Sequence, residues 1–165
     1  MNHVMIDIEA LGLTPGSAIV QIAAQAFDPA TGELGSAIDI HIRPQAPFTL
    51  DPETLTWHAK GGSYPPAQGT LEIAPMLAIF QLKQWAKDLN QVEAWWAWGA
   101  TYDFPLLAAL FAAYHEPPPW HYWQARCART VFNTLLPGAK STPKPHDAAK
   151  DVAIQIRDLL TALSK

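Results

Sequence analysis

The stretch that most constrains this chain is His-Val-Met-Ile-Asp-Ile-Glu at positions 3–9. It reads as a strand, apolar on both faces until its acidic end, and burial of both faces is the mark of a central strand. Asp7 and Glu9 are two apart, so on a strand their side chains leave the same face.

The elements that follow decide what surrounds that strand. A turn at Thr14-Pro15-Gly16 leads to a second apolar run, Ala18 to Phe27, and Asp28 to Glu33 has hairpin-loop chemistry. Ile38, Ile40 and Ile42 alternate with Asp39 and His41, which predicts a half-exposed edge strand. These strands form an antiparallel meander. Residues 43–75 are loop-rich, with Pro44, Pro47, Pro52, Pro65, Pro66 and Pro75, and carry a short helix from Pro52 to Lys60. Helical spacing covers 76–90, a fourth strand Val92–Trp98, and a second helix Asp103–Tyr114, stopped by Glu116-Pro117-Pro118-Pro119. A short fifth strand near Ala125–Ala128 and a brief helix to Leu136 come next. Pro137–Pro145 reads as a mobile loop, and Asp147–Leu163 as the last helix. The expected fold is α/β, with helices flanking a five-stranded mixed sheet of a meander followed by parallel strands. Residues 1–165 are expected to form a single domain.

Composition narrows the function classes. With 49% hydrophobic residues and seven Trp there is material for a packed interior, and disorder is excluded. No apolar run reaches the ~18 residues of a membrane span, and the N-terminus has no secretory pattern. The single cysteine, Cys127, excludes an intramolecular disulfide and suits a reducing cytoplasm. A net charge of −4 argues against a long duplex footprint. It leaves a local cleft open, because carboxylates that hold cations are neutralised once metal binds.

Three further acidic or basic positions join Asp7 and Glu9. Asp103 stands between the fourth strand and the next helix, where a first-turn acid is favourable on its own account. In open α/β sheets such strand ends are also where sites collect. His146 precedes the last helix, which Asp147 can cap, and Asp151 lies about one turn inside. That division suits a rigid ligand on a helix and a base on a loop that must meet water. Hard divalent cations want carboxylate oxygens, and a two-metal site needs several of them converging. Each residue alone has a blander reading as a strand-end polar group, a first-turn acid or a solvated histidine.

Taken together, Asp-x-Glu on the first strand, Asp after the fourth and His-x4-Asp at the last helix resemble the DnaQ-like DEDDh 3'→5' exonucleases of the ribonuclease H-like superfamily. The resemblance spans nearly the whole chain. Asp7-Ile8-Glu9-Ala10-Leu11-Gly12, Trp57, Trp96 to Asp103, and Arg126-Cys127-Ala128-Arg129-Thr130 are similar to a compact bacterial and bacteriophage exoribonuclease subgroup. Ala10, Ala97-Trp98 and Lys150 depart from that subgroup's Thr, Gly-Asn and acidic residue, without removing a metal ligand or the base.

The resemblance implies two divalent cations, Mg²⁺ or Mn²⁺, held by Asp7, Glu9, Asp103 and Asp151. One, on Asp7, Glu9 and Asp151, would lower the pKa of a bound water, and the second would stabilise the leaving 3' oxygen. His146 would be the general base. Glu9 and Ala10 would meet the terminal 3' hydroxyl, Leu11 would wedge beside the last base unless it is instead a buried loop leucine, and Trp57 would contact substrate. The implied partner is single-stranded nucleic acid with a free 3' end, RNA slightly favoured over DNA, yielding nucleoside 5'-monophosphates. A homodimer is compatible, although no residue specifies it. A catalytically silent binding module and a related endonuclease are the competing readings. Alternation puts Trp96 and Trp98 on one face and Trp95 on the other, which marks them as core or contact residues. Arg126, Arg129, Lys140 and Lys144 are candidates for phosphate contacts. His115 and His121 lack further ligands at zinc spacing, so that metal is excluded.

Overall fold

The apolar run at the N-terminus becomes an interior strand. In the computed structural model, which describes residues 1–61, 64–89 and 91–165, it forms β1 (His3–Ala10), followed by β2 (Ile19–Phe27) and β3 (Leu34–Ile42). Then come α1 (Pro52–Ala59), β4 (Glu72–Ile73), α2 (Pro75–Asp88), β5 (Ala94–Ala97) and α3 (Ala100–Ala113). The chain ends with β6 (Ala125–Cys127), α4 (Ala128–Leu135) and α5 (Ala148–Leu163). The sheet order is β4-β3-β2-β1-β5-β6. β1, β2 and β3 pair antiparallel, while β5 runs parallel to both β1 and β6.

Among the described residues the sheet has six strands where five are expected. The extra one, Glu72–Ile73, pairs in parallel with His41 and Ile42, so β3 is not the edge. Two residues are too few to show the alternation that marks a strand. The meander's third strand also starts earlier than its alternating isoleucines, because pairing extends back to Leu34 opposite Phe27. Helix α3 begins before Asp103: the Gly99 carbonyl accepts from Tyr102 N at 2.7 Å and Asp103 N at 3.1 Å, which winds the first turn. Helix α2 starts at Pro75, a good first residue since proline has no N–H to satisfy there. The expected final residue of that helix, Asn90, lies outside the described residues, as do positions 62 and 63 of the loop-rich stretch.

Strand alternation divides the interior into two layers. Val4, Ile6, Ile8 and Trp95 face α2 and α3, packing with Ile79, Leu82, Leu107, Phe111 and Trp120. Met5, Trp96 and Trp98 face α4 and α5, with Phe132, Val152, Ile156 and Leu159. Asp7 and Glu9 share the parity of Met5, so the acidic end of β1 belongs to the α5 side of the sheet. Helix α5 is fixed there by Gln21 of β2, whose Oε1 accepts from Ala148 N at 3.1 Å.

Candidate active site

Helix α5 begins where its sequence says it should. The Asp147 side chain accepts from Lys150 N at 3.3 Å and pairs with Lys150 Nζ at 2.9 Å. This start sets Asp151 in the first turn and Gln155 one turn further, both buried. Gln155 Nε2 donates to Asp7 Oδ1 at 2.7 Å, joining α5 to β1. Asp103 reaches the same strand from α3, where the backbone N–H of Ile8 stabilises its carboxylate.

The result is a cleft of about 630 Å³ lined by Asp7, Glu9, Asp103, His146 and Asp151 together with Ala10 and Trp57. The acids are only 9%, 8%, 3% and 3% exposed for Asp7, Glu9, Asp103 and Asp151. Ligand atoms of Glu9, His146 and Asp151 lie within 4.8 Å of one another. His146 itself is exposed and takes a left-handed backbone, φ 58°.

Negative charge in this cleft is under-compensated. Burial, with the charges of Asp103 and Asp151, raises Asp7 well above the carboxylate range against the Gln155 hydrogen bond. Burial pushes Asp103 up to about 7, although backbone N–H groups and Arg129 oppose it. Burial also raises Asp151, against the nearby His146 and Lys144. Asp151 Oδ1 is buried with no hydrogen-bond partner, and an orphaned acceptor of this kind is costly unless something fills the site. Carboxylate oxygens, raised proton affinity and an orphan acceptor together fit a hard divalent cation. Asp7, Glu9, Asp103 and Asp151 would supply its oxygens, and His146 is near enough to face it.

One expected contact is misplaced. The Leu11 side chain is 0% exposed and packs with Ala18 and Val20, and its backbone N–H and C=O are bonded to Ala18 O and Asp51 N. It is a core residue and cannot wedge against a base. Leu13, 73% exposed, lines the cleft instead. The exchange follows from the tight return at Gly12, where a Cβ would fall 2.3 Å from Ser17 Oγ. Of the candidate cations, Arg129 and Lys144 line the cleft, whereas Arg126 and Lys140 are not among its lining residues. Lys144 Nζ sits 4.0 Å above the Trp98 ring.

Three residues escaped the sequence reading. Gln155 had a signal, since it follows Asp151 by four on the same helix face. His58 is buried on α1, with Nε2 3.1 Å from Ala10 O, yet nothing in its neighbours marks it. Tyr102 Oη donates to Gly12 O at 3.2 Å, and burial raises its phenol to about 12.

A meander leading into parallel strands, with acids gathered at the end of β1, is an α/β fold that the chain shares with solved nuclease and exonuclease structures. The chain belongs to the 3'-5' exoribonuclease Rv2179c-like domain family, whose model matches residues 2–162. Among solved structures it is similar to cell-death related nuclease 4 (CRN-4), with a TM-score of 0.73 at 14% identity. It covers 98% of this chain and 63% of that one. The nuclease domain of 3'hExo, a DEDDh family member bound to rAMP, gives 0.68 at 14% identity, covering 98% and 91%. E. coli exonuclease I in complex with a 5cy-dA13 oligonucleotide gives 0.72 at 14% identity, covering 96% and 40%. At such identities the likeness is one of fold. The chain thus spans less than two thirds of CRN-4 and of exonuclease I. No curated protein matches it in sequence.

Proposed function

We propose that this domain, residues 1–165, is a divalent-metal-dependent 3'→5' exonuclease that degrades single-stranded nucleic acid to nucleoside 5'-monophosphates. The observation that carries the reading is the convergence of Asp7, Glu9, Asp103 and Asp151 on one cleft beside His146. When bound, two divalent cations would supply Lewis acidity for water activation and neutralise charge at the leaving 3' oxygen. Asp7, Glu9, Asp103 and Asp151 would hold them, Asp103 directly or through water.

His146 takes the proton of the attacking water. It is exposed at the cleft, close to Glu9 and Asp151, and the Trp57 ring packs edge-on at 4.7 Å between centroids. Glu9 and the Ala10 backbone meet the terminal ribose, while Trp57, 45% exposed, and Leu13 flank the last base. Arg129 and Lys144 contact phosphate. RNA is favoured over DNA by the family's description and by the ribonucleotide on 3'hExo, against the deoxyoligonucleotide on exonuclease I.

The test is release of mononucleotides from 3'-labelled ribo- and deoxyribo-oligomers, with and without Mg²⁺ or Mn²⁺. A circular single strand included beside the linear one should survive. Cleavage of the circle would make the chain an endonuclease, and metal-dependent binding without turnover would make it a silent module. His146→Ala should retain cation binding while losing turnover by about 10²–10⁴-fold. Loss of cation binding would make it a ligand. Light scattering on the same sample checks the homodimer.

A further inference from the structure

The segment between α4 and α5 has the composition of a mobile loop, yet it is clasped. Thr142 N donates to Asp158 Oδ2 at 2.9 Å, and Thr142 Oγ1 donates to Asp158 Oδ1 at 2.7 Å. Arg157 Nη2 donates to the same hydroxyl at 3.2 Å, so its donor and an acceptor position are both used. Asp158 is a buried carboxylate, 6% exposed, and is not among the residues lining the cleft. Nothing in the proposed chemistry uses it.

Its place on α5 gives it a consequence. Asp151 and Asp158 lie seven residues apart on one helix, about two turns along the same face. The same rigid element thus fixes a metal-ligand candidate directly and, through Thr142, the strap that ends in His146. That histidine has φ 58°, in the left-handed region that non-glycine residues adopt infrequently, as His115 also does. Between the clasp and His146 lie Pro143 and Pro145, which limit the strap's freedom, and Lys144, seated over Trp98.

Resting on the reading of His146 as the base, we propose that Asp158 is a positioning residue for His146 and acts through Thr142. The clasp converts a loop of low intrinsic order into a fixed arm, so that the imidazole faces Glu9 and Asp151 at the distance a shared water needs.

The experiment is a double-mutant cycle in the full chain, read by single-turnover kinetics on a ribo-oligomer with Mn²⁺. Thr142→Val keeps the shape and the backbone bond but removes the hydroxyl. Expected is a fall in the chemical rate of about ten- to a hundredfold with KM held within about twofold. Mn²⁺ affinity should stay unchanged, amide exchange across 140–146 should quicken, and Thr142→Ser should restore the rate. Combined with His146→Ala, Thr142→Val should cost nothing further. An undiminished rate in Thr142→Val, or a loss that persists in full without the imidazole, overturns the proposal. Should that variant not fold, Asp158→Asn carries the same comparison. An inactive wild type instead sinks the nuclease reading, and the clasp's role with it, whereas an active wild type with an indifferent Thr142 sinks the clasp alone.

Discussion

Gln155 holds Asp7 by a 2.7 Å hydrogen bond from its amide to Oδ1, with both side chains buried. One turn of α5 thus offers a carboxylate at Asp151 and, four residues on, the group that orients another carboxylate on β1. The bond leaves the second oxygen of Asp7 for the cleft, while Gln155 Oε1 has no partner of its own.

Removal of that amide should loosen Asp7 without deleting a ligand. Gln155→Ala is expected to weaken Mn²⁺ binding by about 10–100-fold, the usual cost of losing an outer-shell partner. Calorimetric titration measures it. Affinity equal to wild type would show that Asp7 is oriented by other means.

Metal-free stability should fall as pH rises. The folded-state pKa values of Asp7, Asp103 and Asp151 are raised, chiefly by burial. Below about pH 4 these groups are protonated in both states. Between there and about 7, the value reached by Asp103, the unfolded chain releases protons that the folded chain keeps. Stability is therefore fully present at the acidic side and lost on the way up. Asp28, Asp51 and Asp147, held low by hydrogen bonds, contribute stability that is fully present above about pH 4 and lost only at more acidic pH, so they add no slope in this window. His3, lowered by burial, slopes the other way but is one group against three. Thermal melts of chelator-treated protein should drop from pH 5 to pH 7.5, and Mg²⁺ should rescue the alkaline end most. A flat or rising profile would contradict the account.

Asp103→Asn should separate stability from activity. Replacing a buried acid that resists ionisation with a neutral isostere is expected to raise the metal-free melting temperature at pH 8. Turnover should fall by more than the about 10–100-fold typical of an outer-shell loss. If the variant melts lower while keeping its rate, Asp103 is a structural acid.

The two leucines of the β1–β2 turn should behave oppositely. Leu11→Ala removes a fully buried side chain and should cost about 2–5 kcal/mol in a denaturant titration. Leu13→Ala, at a side chain 73% exposed, should leave stability within about 0.5 kcal/mol and raise KM for short oligomers. The reverse pattern would return the wedge to Leu11.

What the sequence determined by itself is local. The parity of Asp7 and Glu9, the Asp147 cap and the hydrophobic alternation of β1 depend on backbone periods of about 2 and 3.6 residues, which any reader of the chain can apply. The family pattern adds order and spacing for Asp103, His146 and Asp151. Tertiary structure decided whatever depends on distance between segments remote in sequence. Gln155 meets Asp7 across 148 positions, and His58 meets Ala10 across 48. A two-residue strand such as Glu72–Ile73 exists only because a neighbour's backbone offers it hydrogen bonds. Leu11 and Leu13 have the same side chain two positions apart, so only the packing of the turn shows which one is buried and which reaches the cleft. The 137–145 stretch is loop-like in composition, and only the tertiary structure brings Thr142 within hydrogen-bond reach of the Asp158 carboxylate on α5, because the sequence carries no sign of which loop residue that carboxylate meets.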